Sequence, residues 1–144
     1  MLRVPPRDPL ETWPKHRAEA IRLGVLIDCT SRVRSRGLER RLPWPVAITD
    51  TLQHTLMGGI QLRSEGIDPL DAILEATGDI LDQLRVQRDL ADPEAPFEEA
   101  YAATLVLETM AGQEQRLTVL LQPGDRAEPV VTIGHSSDFG PLED

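Results

Sequence analysis

Residues 68–90 read DPLDAILEATGDILDQLRVQRDL, and this stretch decides the fold class. Asp68 suits a helix N-cap, and Pro69 suits the first helical position, where its missing N–H costs little. The residues that repeat at intervals of three and four, as one face of a helix requires, are Leu70, Ile73, Leu74, Thr77, Ile80, Leu81 and Leu84. The pattern therefore predicts a helix from Pro69 to about Leu90, roughly 30 Å long, with one apolar stripe facing a core.

Downstream of this helix the apolar period changes from 3.6 to 2. Alternating residues predict strands over 101–107 and 117–121, and a third strand follows at 130–133. Turn sequences at 111–114 and 123–128 separate the strands, which favours a three-stranded antiparallel meander. The long helix would cover one face of this sheet, so the predicted class is α+β.

Upstream of residue 68 we expect shorter elements. Prolines in residues 1–12 predict a flexible N-terminal arm. Helices are then expected from Pro14 to Leu23, over 31–36, and from Pro45 or Val46 to Leu56, with a buried extended segment at 25–27. The predicted organisation is a single α+β domain over 13–134, with N-terminal helices and the long helix packed on the meander, and a polar tail over 135–144.

Charge is distributed unevenly along the 144 residues. The net charge is −9; residues 1–42 hold ten Lys/Arg against five Asp/Glu, and residues 89–144 hold two against twelve. A chain this acidic is expected to be repelled by bulk nucleic acid. No apolar run approaches the ~20 residues of a membrane span or forms a signal-peptide core, and Cys29 is the only cysteine, so we expect a cytoplasmic protein.

Residues that commonly carry catalysis are few and are not arranged in a known motif. His16, His54 and His135 lack zinc-ligand spacing, and no phosphate-binding glycine loop is present, so no metal and no cofactor is expected. Cys29 is a weak candidate nucleophile because the adjacent Asp28 raises rather than lowers a thiol pKa. The sequence favours a protein that is not an enzyme.

Two charged clusters are candidate binding sites. The basic cluster consists of Arg32, Arg34, Arg36, Arg40 and Arg41. Its guanidinium groups match phosphate geometry, but the favoured interpretation is that they pair with the acidic C-terminal half of the same chain. Aromatic residues make up only 3%, which argues against stacking on single-stranded nucleic acid.

The acidic cluster lies on the long helix. It consists of Asp68, Asp71, Glu75, Asp79 and Asp82, spaced three and four apart, so the five share one ridge opposite the apolar stripe. One interpretation is a solvated face whose first carboxylates favour the helix N-terminus. The other is a surface for a basic partner, since Asp79 and Asp82 lie beyond the first turn.

Three parts of the chain resemble a family when taken together. They are HRAEAI at 16–21 with GVLID at 24–28, WPVAIT at 44–49, and PGD at 123–125 with EPVVTI at 128–133. Their order and spacing resemble a domain of unknown function found in bacterial plasmids and phages. The sequence departs from that pattern at Leu23, Trp44 and the pair 126–127, and the resemblance does not cover the middle of the chain. It implies a mobile-element origin and no mechanism.

These observations lead to one leading hypothesis and two alternatives. The leading one is a mobile-element protein that binds a macromolecular partner through the acidic ridge and inhibits a host nucleic-acid-directed defence system. The expected partner is a protein, for example a basic nucleic-acid-binding protein, and neither nucleic acid itself nor a membrane. The alternatives are a structural or regulatory homo-oligomer, and an enzyme that uses Asp28, Thr49 or Asp125 in an unrecognised arrangement.

Overall fold

The computed structural model describes residues 2–3, 17–57, 68–87, 101–108, 112–125 and 128–138. The class is α+β, as predicted. The helices are α1 (Arg17–Arg22), α2 (Thr30–Ser35), α3 (Asp50–Met57) and α4 (Pro69–Gln87). The strands are β1 (Leu2–Arg3), β2 (Leu26–Asp28), β3 (Val46–Thr49), β4 (Tyr101–Glu108), β5 (Glu114–Pro123) and β6 (Pro129–His135), and a 3₁₀ turn follows at Ser136–Asp138.

The six strands of the described residues belong to one mixed sheet, in the order β1-β4-β5-β6-β3-β2. The antiparallel meander β4-β5-β6 is present as predicted. The prediction of only three strands is wrong, because β3 joins β6 in parallel and β2 joins β3 in antiparallel fashion. The backbone N–H of Val131 donates to the carbonyl of Pro45 at 2.8 Å, which extends the parallel ladder.

The segment 46–49 accounts for this difference. A helix beginning at Pro45 or Val46 was expected, but Val46–Thr49 forms β3 and all four residues are buried. Three of the four, Val46, Ile48 and Thr49, are β-branched, and such residues suit a strand covered on both faces. The helix begins only at Asp50, and the hydroxyl of Thr49 accepts the N–H of Leu52 at 3.2 Å as an N-cap.

The long helix is present as predicted, and it is described to Gln87. Its start is capped by Asp68, whose carboxylate accepts the N–H of Leu70 at 2.9 Å. Its apolar stripe is buried in the main core, which lies between one face of the sheet and the helices α2, α3 and α4. The stripe residues in that core are Ile73, Leu74, Leu81 and Leu84, each 2% exposed or less.

The opposite face of the sheet carries a smaller cluster under α1. Ala20 packs there against Leu26 and Ala47. The helix α1 ends at Arg22, one residue before the predicted end, and Gly24 follows with φ +79°, a conformation that glycine adopts readily after a helix. The extended segment expected at 25–27 is β2.

Both ends of the chain are described in part. Leu2–Arg3 of the predicted arm pair with Ala102 and Tyr101 of β4. Residues 4–16 of the arm and α1 region and residues 139–144 of the predicted tail lie outside the described residues. None of the described helices is both long enough and apolar enough to span a bilayer.

Candidate functional site

The acidic ridge on α4 and the arginine cluster meet each other in the structure. Arg32, on α2, donates from Nε to Asp71 Oδ1 at 2.7 Å and from a terminal nitrogen to Asp71 Oδ2 at 3.1 Å. The same terminal nitrogen of Arg32 also lies 3.4 Å from Asp68 Oδ1. Arg36 reaches Asp71 Oδ2 at 3.0 Å. The guanidinium groups of Arg32 and Arg36 therefore link α2 and its C-cap to the first turn of α4.

Asp71 is the centre of this contact and is only 6% exposed. Hydrogen bonding from Arg32, supported by the charges of Arg32 and Arg36, holds the pKa of the Asp71 carboxyl below its ordinary value of 3.8 against the opposing effect of burial. The same hydrogen bond raises the pKa of Arg32. The expectation that all five carboxylates face water is therefore wrong for Asp71, because α2 packs over it.

A second ion pair joins Arg41 to Asp79 on α4. Gly78, which precedes Asp79, leaves room for this contact, because a Cβ added at Gly78 would lie only 3.3 Å from the Cβ of Arg41. A glycine inside a helix costs about 1 kcal/mol relative to alanine. Here it lets the stretch around Arg41 and Leu42 pass close to the α4 backbone.

The remaining members of the two clusters are more exposed. Glu75 is exposed on α4 between Asp71 and Asp79, and no ion pair to it is found among the described residues. Asp82 and Arg40 each have an interaction partner. Arg34 is exposed on α2. Arg32, Arg36 and Arg41 thus pair with carboxylates of the same chain, but these carboxylates belong to the α4 ridge and not to the strongly acidic residues 89–144.

On the opposite face of the sheet, Arg17 links α1 to β6. Its terminal nitrogens donate to the Thr132 hydroxyl at 2.8 Å and the Val131 carbonyl at 2.7 Å. Its backbone N–H donates to Asp125 Oδ1 at 2.6 Å, and the next N–H of α1 donates to Asp125 Oδ2 at 3.1 Å. Burial lowers the pKa of the Arg17 guanidinium to about 10, although Asp28, with Asp125 and Glu128, opposes that shift.

A second polar network lies where β3 and β6 end. The Asp138 carboxylate accepts the hydroxyls of Thr49 and Thr51 at 2.8 and 2.7 Å and the backbone N–H of His135 at 2.9 Å. The His135 ring contacts the Thr55 hydroxyl at 2.8 Å. Ligands often bind beyond the carboxyl ends of parallel strands. Here the chain's own Asp138 already accepts the hydrogen bonds of both threonine hydroxyls, so the network holds the C-terminal turn against the start of α3.

The three residues considered for an unrecognised enzyme do not form one constellation. Asp28 and Asp125 share the electrostatic environment of Arg17, whereas Thr49 bonds to Asp138 in the second network. Within the described part of the chain, no group of three His, Cys, Asp or Glu residues has the geometry to hold a metal ion.

Cys29 is a buried thiol at the start of α2, 5% exposed. Its Sγ donates to the Ile27 carbonyl at 3.6 Å. Burial, and then the neighbouring Asp28, raise the pKa of the Cys29 thiol to about 11. The thiol is therefore protonated at neutral pH, which is the opposite of what a nucleophilic cysteine requires.

A shallow groove of about 230 Å³ lies between α3, α4 and the β4–β5 hairpin. Its walls are apolar apart from Thr55 and Gln115; the other lining residues are Leu52, Leu56, Ile73, Leu107 and Leu117. That figure includes open solvent; the space that a water-sized sphere can occupy in the groove is only about 10 Å³, which is about one water molecule, so the groove has no room for a small-molecule ligand.

Comparison with known proteins adds no relative: no family model, curated protein or solved structure matches this chain.

Proposed function

We propose that this chain is a cytoplasmic mobile-element protein that binds a basic macromolecular partner through one face of α4. We further propose that this binding inhibits a nucleic-acid-directed system of its host and that the chain catalyses no reaction itself. The mobile-element origin rests on the family resemblance of the segments at 16–28, 44–49 and 123–133. We call the surface formed by Asp68, Glu75, Asp79 and Asp82 the α4 face.

The observation that carries the proposal is the exposure of three of these carboxylates; the fourth, Asp82, is half-buried and has an interaction partner. Glu75 is exposed and has no ion pair among the described residues. The side chains of Asp68 and Asp79 remain 53% and 66% exposed although each contacts an arginine. Asp68 at the N-cap and Glu75 and Asp79 within α4 lie on one side of the helix, so a partner can contact them together.

The arginines bound along this face do not prevent binding. An exposed ion pair contributes only about 0–1 kcal/mol, so a cation of the partner can replace Arg41 at Asp79 at small cost. Asp71 differs, because it is buried and held by two guanidinium groups. We therefore assign Asp71 to folding and remove it from the proposed contact surface.

Affinity purification from the host lysate tests the proposal. The bait variant Glu75→Lys reverses the least compensated charge of the α4 face and should lose a basic protein that the unchanged chain captures. Glu114→Lys is the matched control: it makes the same charge change at an exposed residue, and strand alternation places Glu114 on the sheet face opposite Leu117 and the main core. It should capture the partner normally.

The inhibitory part of the proposal has a separate test. Once purified, the captured partner should bind labelled nucleic acid and retard it in a gel. Adding the unchanged protein should abolish this retardation, whereas adding the Glu75→Lys variant should leave it in place. Equal capture by Glu75→Lys and the unchanged chain would refute the α4 face. If the partner is captured but its binding to nucleic acid is unaffected, the proposed interface is supported and the proposed inhibition is refuted.

A further inference from the structure

We draw no further inference here: the strongest candidate, the shallow apolar groove between α3, α4 and the β4–β5 hairpin, is an unpartnered apolar face, and nothing in the described residues shows what covers it.

Discussion

Replacing Asp71 with asparagine removes the one buried carboxylate of the α4 ridge while keeping its shape. Arg32 and Arg36 would then lose a charged acceptor that takes contacts of 2.7, 3.1 and 3.0 Å. Hydrogen bonds to charged groups contribute about 1.5–3 kcal/mol to stability. Breaking a fully buried pair costs about 3–5 kcal/mol.

The two arginine side chains are 36% and 54% exposed, so water can solvate them once the carboxylate is gone. We therefore expect the lower range, a loss of about 2 kcal/mol in the free energy of unfolding of Asp71→Asn. That corresponds to a fall of roughly 4–8 °C in Tm. Urea denaturation followed by circular dichroism measures the loss directly.

Asp79→Asn is the matched control on the same helix. Its pair with Arg41 is exposed, so its loss should stay below about 1 kcal/mol. The stability deficit of Asp71→Asn should also depend on pH. The folded-state pKa of Asp71 lies below 3.8, so its contribution is present above that pH and disappears as the pH falls through the lowered pKa. The Asp71→Asn deficit should therefore shrink on acidification. A deficit equal to that of Asp79→Asn, or one unchanged at low pH, would refute the assignment of Asp71 as a buried anchor.

Three further substitutions test other parts of the fold. The pKa of the Cys29 thiol is raised from 9.0 to about 11 in the folded protein, so the unfolded chain loses this proton at a lower pH. The free energy of unfolding should therefore decrease between pH 9 and 11, and the decrease measured by urea denaturation should be smaller for Cys29→Ala. Gly78→Ala should raise the free energy of unfolding by less than the usual ~1 kcal/mol, because the new methyl group would lie 3.3 Å from the Cβ of Arg41. An increase of the full size in the same assay would show that Arg41 moves away from the methyl group without cost. Asp125→Ala should cost about 1 kcal/mol, as loss of a helix cap does, and should speed amide hydrogen exchange at Arg17; unchanged exchange there would contradict its capping role.

Local periodicity explains which elements could be predicted from the sequence. The helix α4 and the meander extend over enough residues for a period of 3.6 or 2 to be recognised. The segment PVAIT at 45–49 is too short for either period to show. Its strand is stabilised by pairing with β6 more than 80 residues later in the chain, through contacts such as Ile48 with Ile133. A strand that depends on such a distant partner has little local signal.

The charged clusters could be found from the sequence, but their pairing could not. Spacing of three and four correctly places the acidic residues on one side of α4. Whether a carboxylate on that side meets water or an arginine depends on where α2 packs. Asp71 and Glu75 carry the same charge one turn apart, yet one is buried under Arg32 and the other is exposed. Tertiary packing, rather than residue type, therefore determines that Asp71 stabilises the fold while Glu75 is available to a partner.

The segments that carry the family resemblance lie together in the fold. Two of them form the adjacent strands β2 and β3, and the third supplies β6 on the other side of β3. Arg17 and Asp125, from the first and third segments, join α1 to the sheet. Most of the residues that carry this resemblance therefore build the sheet or hold α1 against it. The α4 face lies in the middle of the chain, which the resemblance does not cover. The proposed contact surface and the sheet framework are thus built by different parts of the chain.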